Sequence, residues 1–353
     1  MRFTMFLQRV VASAMVAGAV AAATAGTTLA AEPTAPARIV FLAGGRSHGP
    51  GEHEFRAGCM LLARALNEQS GLAVKAEVLQ GWPEDPAVLD GARALVFYSD
   101  GTSVVGKGWE KTDALVRGGT GVMFMHYAVH PSKADGERYF RPWMGGAFED
   151  GWSVNPHWVA AVEPRAGHPV ARGITGPIVS LDEFYYNMRF RPNRSEVLDL
   201  ATATPSRERI IRYINLWNEH GVAGLGRPQT LMWGVERPDG GRGVGFTGGH
   251  YHRNWSVDGF RTLVLNAVVW TAGIDVPAGG VKSLPVTEDD LNANLDDKGP
   301  SKPRITPLSA AEIAALEPAA IPVDREAKFP PVTAARSLFP PGFLGSSGIS
   351  VAG

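Results

Sequence analysis

One cysteine in 353 residues, no marked excess of charge of either sign, and no long apolar run beyond the first thirty positions set the first limits on this chain. A lone thiol, Cys59, cannot form an internal disulfide, so stability has to come from a packed core. Phe55, Cys59, Leu62 and Leu66 recur at helical spacing, which makes Cys59 a core residue of a helix over residues 54–69 rather than a nucleophile. Lys and Arg number 34 against 35 Asp and Glu. That balance lacks the basic footprint that nucleic acid requires, and it gives no reason to expect an anionic membrane surface as partner. Common site signatures are missing as well: there is no HExxH, no paired CxxC, no P-loop and no GxGxxG in a dinucleotide context.

What is present begins with a leader. Arg2 and Arg9 are the only charges before Glu32, residues 10–25 are small and apolar, and Thr28-Leu29-Ala30 offers a small-x-small cleavage context. The pattern predicts a secretory signal peptide over residues 1–30. The competing reading, an uncleaved anchor, fits the weakly apolar Ala/Gly run less well. The mature chain is therefore expected outside the cytoplasm, periplasmic or extracellular, without stable membrane insertion. A linker over 31–36, one α/β domain over 37–281 and an extended or partly disordered tail over 282–353 complete the expected organisation. A homo-oligomer is compatible with it.

From Arg38 the chain alternates short apolar runs (39–43, 72–79, 94–99, 121–125) with helical patterns (54–69, 109–117) and a short crossover at 86–92. Strands separated by helices, with no hairpin turns between them, predict a mostly parallel sheet with helices on both faces. The middle differs. Residues 152–163 and 196–204 alternate like half-exposed strands, and 230–236 and 243–247 flank Arg237-Pro238-Asp239-Gly240-Gly241, a strong turn signal. These predict an antiparallel extension of the sheet. Residues 207–218 suit a helix or a surface insertion, residues 310–316 a short helix, and Asp258 is placed to cap a last helix through Ala272.

Four apolar runs stop on histidine or aspartate: at the loop Gly45-Arg46-Ser47-His48, at Asp100, at His126, and at His250-Tyr251-His252. Parallel strands bring such ends to one sheet edge, where open α/β sheets bind ligands. His48, Asp100, His126 and His250 are accordingly catalytic candidates, together with Glu183. His48, His126 and His250 are also candidate ligands for a divalent metal ion, imidazole being the commonest such ligand. His53 suits a ligand or a helix start, Asp100 a site or a turn cap, and His130 the cluster or a surface loop. On a strand, His250 and His252 would point the same way. Tyr185, Tyr186, Asn187, Trp152, His157 and His252 supply the aromatic faces and polar groups that a small-molecule carbohydrate would use. An ordinary packed aromatic layer would use the same residues.

Residues 45–55, 121–127, Trp152-Ser153-Val154-Asn155-Pro156-His157-Trp158, 182–187, Gly248-Gly249-His250-Tyr251-His252 and Asn266-Ala267-Val268-Val269-Trp270 occur in an order that resembles the ThuA-like (trehalose utilisation) family, over residues 37–282. The resemblance implies a flavodoxin-like, class I glutamine amidotransferase-like fold. Those amidotransferases carry a cysteine at the elbow after a central strand and a late His/Glu pair. Here the elbow position is His126, and no Pro-Glu follows His250, so glutaminase chemistry should be lost. What the resemblance implies instead is work on disaccharides or their 3-keto derivatives. If the substrate is a 3-keto-glycoside, its ketone acidifies the C2 proton, and histidine acid/base chemistry, assisted by a divalent metal ion where one is bound, would cleave it by elimination or net hydrolysis. A non-catalytic sugar-binding module on the same fold is the alternative.

Overall fold

The computed structural model describes residues 35–212, 218–299 and 304–316. The expected leader at 1–30, most of the linker at 31–36, part of the segment 207–218 and the tail beyond residue 316 lie outside the described residues. Among those described, the strands are β1 Ala37–Ala43, β2 Val74–Gln80, β3 Ala94–Tyr98, β4 Gly121–Met125, β5 Gly146–Ala147, β6 His157–Pro164, β7 Ile178–Asp182, β8 Arg189–Phe190, β9 Leu198–Ala203, β10 Ile210–Arg212, β11 Gln229–Glu236 and β12 Arg242–Phe246.

The apolar runs 39–43, 72–79, 94–99 and 121–125 form the strands expected of them, and β12 joins them from much later in the chain. Together they make a parallel block in the order β12-β4-β3-β1-β2. Every residue of β3 and β4 is buried, as strands covered on both faces must be. In β1 the side chains alternate between two cores. Ile39, Phe41 and Ala43 pack in one, with Phe55, Cys59 and Leu62 of the helix Phe55–Arg64 and with Phe260 and Leu263 of the helix Asp258–Thr271. Val40 and Leu42 pack in the other, with Val116 of the helix Trp109–Arg117 and with Trp143 and Met144. Full burial of each such side chain stabilises the fold by about 1.5–3 kcal/mol. Gly121 is needed where β4 passes the last helix, since a Cβ there would lie 2.0 Å from the Thr271 carbonyl oxygen.

Beyond β12 the sheet continues antiparallel through β11, β9, β6 and β10, with β7 also on β6. The expected turn joins β11 to β12, closed by the Arg237 N–H on the Gly241 carbonyl at 2.8 Å. Three local expectations shift. The first helix is α-helical to Arg64 and then widens to a π-helix over Ala65–Gln69. The strand expected from residue 152 begins at His157. Asp258 is the first helical residue rather than the cap, and its carboxylate pairs with Arg261 at 2.7 Å. No helix among the described residues is long and apolar enough to cross a membrane.

The chain past the last helix returns over the first core. Leu291 is fully buried. Lys298, only 2 % exposed, meets the equally buried Glu54 at 3.2 Å. Its ammonium also donates to the carbonyls of Gly49, Glu52 and His53.

Candidate functional site

Register decides where the site lies. Ala43 sits opposite Tyr98, Tyr98 opposite Met125, and Met125 opposite Phe246. The residues that follow these four strand ends therefore share one edge, with neighbouring strands about 4.8 Å apart. A second contact completes the cluster. The loop after β1 folds back on the loop after β12: Glu52 bridges to Tyr251, the His53 N–H donates to the His250 carbonyl at 2.9 Å, and the His252 N–H donates to the Gly51 carbonyl at 2.9 Å. This brings His53 in beside His126 and His250.

Three ring nitrogens then converge. His126 Nε2 lies 2.9 Å from His53 Nε2, His53 Nε2 lies 3.0 Å from His250 Nδ1, and His250 Nδ1 lies 3.3 Å from His126 Nε2. Glu183 Oε2 faces the same point, 2.9 Å from His250 Nδ1 and 3.4 Å from His126 Nε2. All four residues are at most 4 % exposed. The opposite ends of His53 and His126 are anchored by hydrogen bonds, and that of His250 faces a carboxylate. His53 Nδ1 meets Asp100 Oδ1 at 2.9 Å, His126 Nδ1 meets the Thr247 carbonyl at 3.0 Å, and His250 Nε2 faces Glu52 Oε1 at 3.6 Å.

The backbone is held against its own preference here. His48, His53 and His126 have φ of 55°, 46° and 54°, the left-handed region that costs a residue with a Cβ about 1–2 kcal/mol. Strain of this kind gathers where a side chain must be aimed. Asp182 provides part of the restraint. Fully buried at the end of β7, its carboxylate accepts the N–H groups of Gly249, His250 and Glu183 at 2.7, 2.9 and 2.9 Å. Gly249 itself, at φ 119°, adopts a conformation that favours glycine.

Charge is separated within the cluster. Burial opposes ionisation of Glu183, but hydrogen bonds and charge from His126 and His250 hold its carboxyl well below the usual range. Burial alone would lower His250, yet Glu183 and Glu52 raise it to about 9. The His250 imidazole draws the Glu52 carboxyl down to about 2. His53 falls to about 3, through burial first, with the Asp100 hydrogen bond opposing and the charges of His126 and His250 adding. At the rim, burial and the charge of His250 lower His48. Asp100 would be raised by burial, but hydrogen bonds from His53 and Ser47 leave it below its ordinary value.

Of the residues expected at the site, the structure brings together His126, His250 and Glu183. It places His48 and Asp100 at the rim: the His48 ring lies 3.7 Å from that of His53, and the Asp100 side chain is 37 % exposed. His157 adjoins the cluster, 3.6 Å from Glu183 and 2.8 Å from the Tyr251 hydroxyl, and the buried Tyr185 ring lies 5.0 Å from His126. Of the candidate metal ligands, His126 and His250 converge with His53 and Glu183, while His48 belongs to a second, more exposed group with His53 and Asp100.

Other expected residues serve the frame. Tyr186 is buried and its hydroxyl donates to the Gly221 carbonyl at 3.0 Å. Asn187, at φ 57°, donates to the Trp152 carbonyl at 2.7 Å, and the Trp152 ring packs against His220 and Arg189. His252 does not share a face with His250. The chain there has left the strand and starts a 3-10 turn, so strand alternation no longer applies, and His252 is buried near Lys298. Glu52 and Asp182 are not among the site candidates that the sequence offers, and His53 is one only as a ligand or a helix start. For His53 the signal was the density of polar groups after β1, and for Asp182 its place beside Glu183. His130 pairs with Asp150 at 3.0 Å.

A parallel α/β sheet with a histidine at the elbow, and its one cysteine buried on a helix away from that elbow, defines an amidotransferase-like fold stripped of the thiol nucleophile. Burial pushes the Cys59 thiol up, away from the reactive thiolate. The chain belongs to the ThuA family, described as trehalose utilisation, whose match spans residues 41–271. This membership indicates a carbohydrate-related role. Among solved structures, it is similar to a ThuA-like protein from Parabacteroides merdae, at 16 % identity and TM-score 0.51, over 72 % of this chain and 99 % of that one. It also matches a ThuA-like protein from Bacteroides uniformis at 13 % identity and TM-score 0.45, over 67 % of this chain and 92 % of that one. No match occurs among curated proteins.

Proposed function

We propose that this protein is an exported carbohydrate-processing enzyme that cleaves 3-keto-glycosides, derived from disaccharides, by histidine acid/base chemistry. The observation that supports it is a buried floor of His53, His126, His250 and Glu183 beneath a rim of His48 and Asp100 that solvent reaches. A ketone at C3 acidifies the C2 proton. His48, held neutral near pH 7, takes that proton as a general base. The C1–oxygen bond breaks as a C1=C2 bond forms, and the His48 imidazolium returns its proton to the departing oxygen. Water added across C1=C2 then completes a net hydrolysis.

The test incubates the full chain with trehalose, with other disaccharides and with their 3-keto forms, and follows products by mass spectrometry. Cleavage of the keto forms alone, reduced at least 100-fold in His48→Ala and in Glu183→Gln, is the expected result. Binding of sugar without turnover would instead assign the chain as a sugar-binding module. Neither binding nor turnover would remove the carbohydrate reading of the site. Export is checked by N-terminal analysis of secreted material, which should begin just after Ala30.

A further inference from the structure

We infer that His53 Nε2, His126 Nε2, His250 Nδ1 and Glu183 Oε2 form a binding site for one divalent first-row transition-metal ion of the zinc type. The inference deepens the proposed function, on which it rests for the ion's part in catalysis but not for its binding.

Proton inventory carries it. A neutral imidazole has one N–H and one lone pair. In two of the three rings the outward nitrogen is hydrogen-bonded to an oxygen, Asp100 for His53 and the Thr247 carbonyl for His126. The carbonyl can only accept, and a carboxylate does the same, so these outward nitrogens carry the protons and the inward nitrogens of His53 and His126 present lone pairs to each other at 2.9 Å. His250 Nδ1 and Glu183 Oε2 complete the group, 2.9 Å apart and buried with them. A single extra proton on His250 can bridge to Glu183, but it leaves His53 and His126 facing each other at 2.9 Å with no hydrogen between them. One dication at the centre satisfies all four donors at once.

Dimensions agree. Donors about 2.0–2.1 Å from a tetrahedral ion stand roughly 3.3 Å apart. Of the six separations among these four donors, five run from 2.9 to 3.4 Å and the sixth, between His53 and Glu183, lies within 4.8 Å, so the cage accommodates the ion by opening on its tighter edges and closing on its long one. Three imidazoles and one carboxylate suit zinc, iron, cobalt or nickel, whereas magnesium and calcium call for an all-oxygen set. The outer contacts are those that metal-binding histidines use to fix their tautomer, a carboxylate behind His53 and a carbonyl behind His126. Asp100 is thus a positioning residue, and His48 stands outside the ligand set as the rim base. An ion here would supply Lewis-acid stabilisation of an enolate oxygen.

The full chain is stripped with a chelator, reloaded with Zn2+, and assayed by elemental analysis and calorimetry, with Co2+ absorption as a second readout. One equivalent per chain is expected, with a tetrahedral or five-coordinate Co2+ spectrum. His53→Asn and Glu183→Gln should each weaken Zn2+ binding at least 100-fold, Asp100→Asn 10- to 100-fold, and the remote His168→Ala should leave it unchanged. Circular dichroism of each apo variant separates lost ligation from lost fold. Native wild type that takes up no stoichiometric metal overturns the inference, as does binding that persists in folded His53→Asn and Glu183→Gln. Neither result depends on sugar turnover, so the inference and the proposed function can fail separately.

Discussion

Replacing Lys298 by Met should cost this fold about 3 kcal/mol, the lower end of the 3–5 kcal/mol seen when one partner of a buried ion pair is removed. The methionine keeps most of the volume and removes the charge. Glu54, 2 % exposed, then loses its counter-ion. Three carbonyls of the loop, those of Gly49, Glu52 and His53, lose their common donor. The loss stays near the lower bound because Glu54 keeps two backbone donors, the N–H of Gly51 at 3.0 Å and of Asp296 at 2.9 Å. Urea unfolding of wild type, Lys298→Met, Glu54→Gln and the double variant should yield a coupling energy of about 1–3 kcal/mol, as for residues in direct contact. Hydrogen exchange should quicken at the amides of Glu52 and His53, which are tied to Gly49 and His250. A loss below about 1 kcal/mol with no coupling would refute the reasoning, leaving apolar anchors such as Leu291 to hold the returning chain.

Three further outcomes are expected. Asp182→Asn, which weakens the grip on the N–H groups of Gly249 and His250, should lower stability by about 1–3 kcal/mol, measured by thermal unfolding. His168, drawn down to about 4 by burial, then by Arg165, with Glu236 opposing and Arg242 and Arg172 adding, binds its proton more readily in the unfolded chain. Its contribution is therefore complete above about pH 6.5 and is lost as pH falls toward 4. Denaturant midpoints of His168→Gln should decline less steeply over that window, and an unchanged slope would refute this. Cys59, fully buried in the first core, should resist iodoacetamide in native protein and react on unfolding, which mass spectrometry reads directly.

Much of the scaffold was legible along the chain, because its causes are local. Uninterrupted apolar runs such as residues 94–98 and 121–125 can only be strands covered on both faces, and their alternation with helical stripes such as Phe55, Cys59 and Leu62 implies parallel pairing. Histidine and aspartate at the ends of those runs marked the edge where the site lies. The local pattern misled where the chain leaves regular structure. His250 and His252 are two apart, yet only His250 joins the cluster, because the strand has ended at Phe246, before either residue, and the chain enters a 3-10 turn at His252.

The sequence by itself thus determined the sheet, its two faces and the edge that carries His48, Asp100, His126 and His250. Tertiary structure decided which side chains meet there. His53 enters through a bridge between loops some two hundred residues apart in sequence, and Lys298 locks that loop from a segment beyond the family match. Both depend on left-handed histidine conformations that local propensity disfavours, so only long-range contacts that offset the strain could select them.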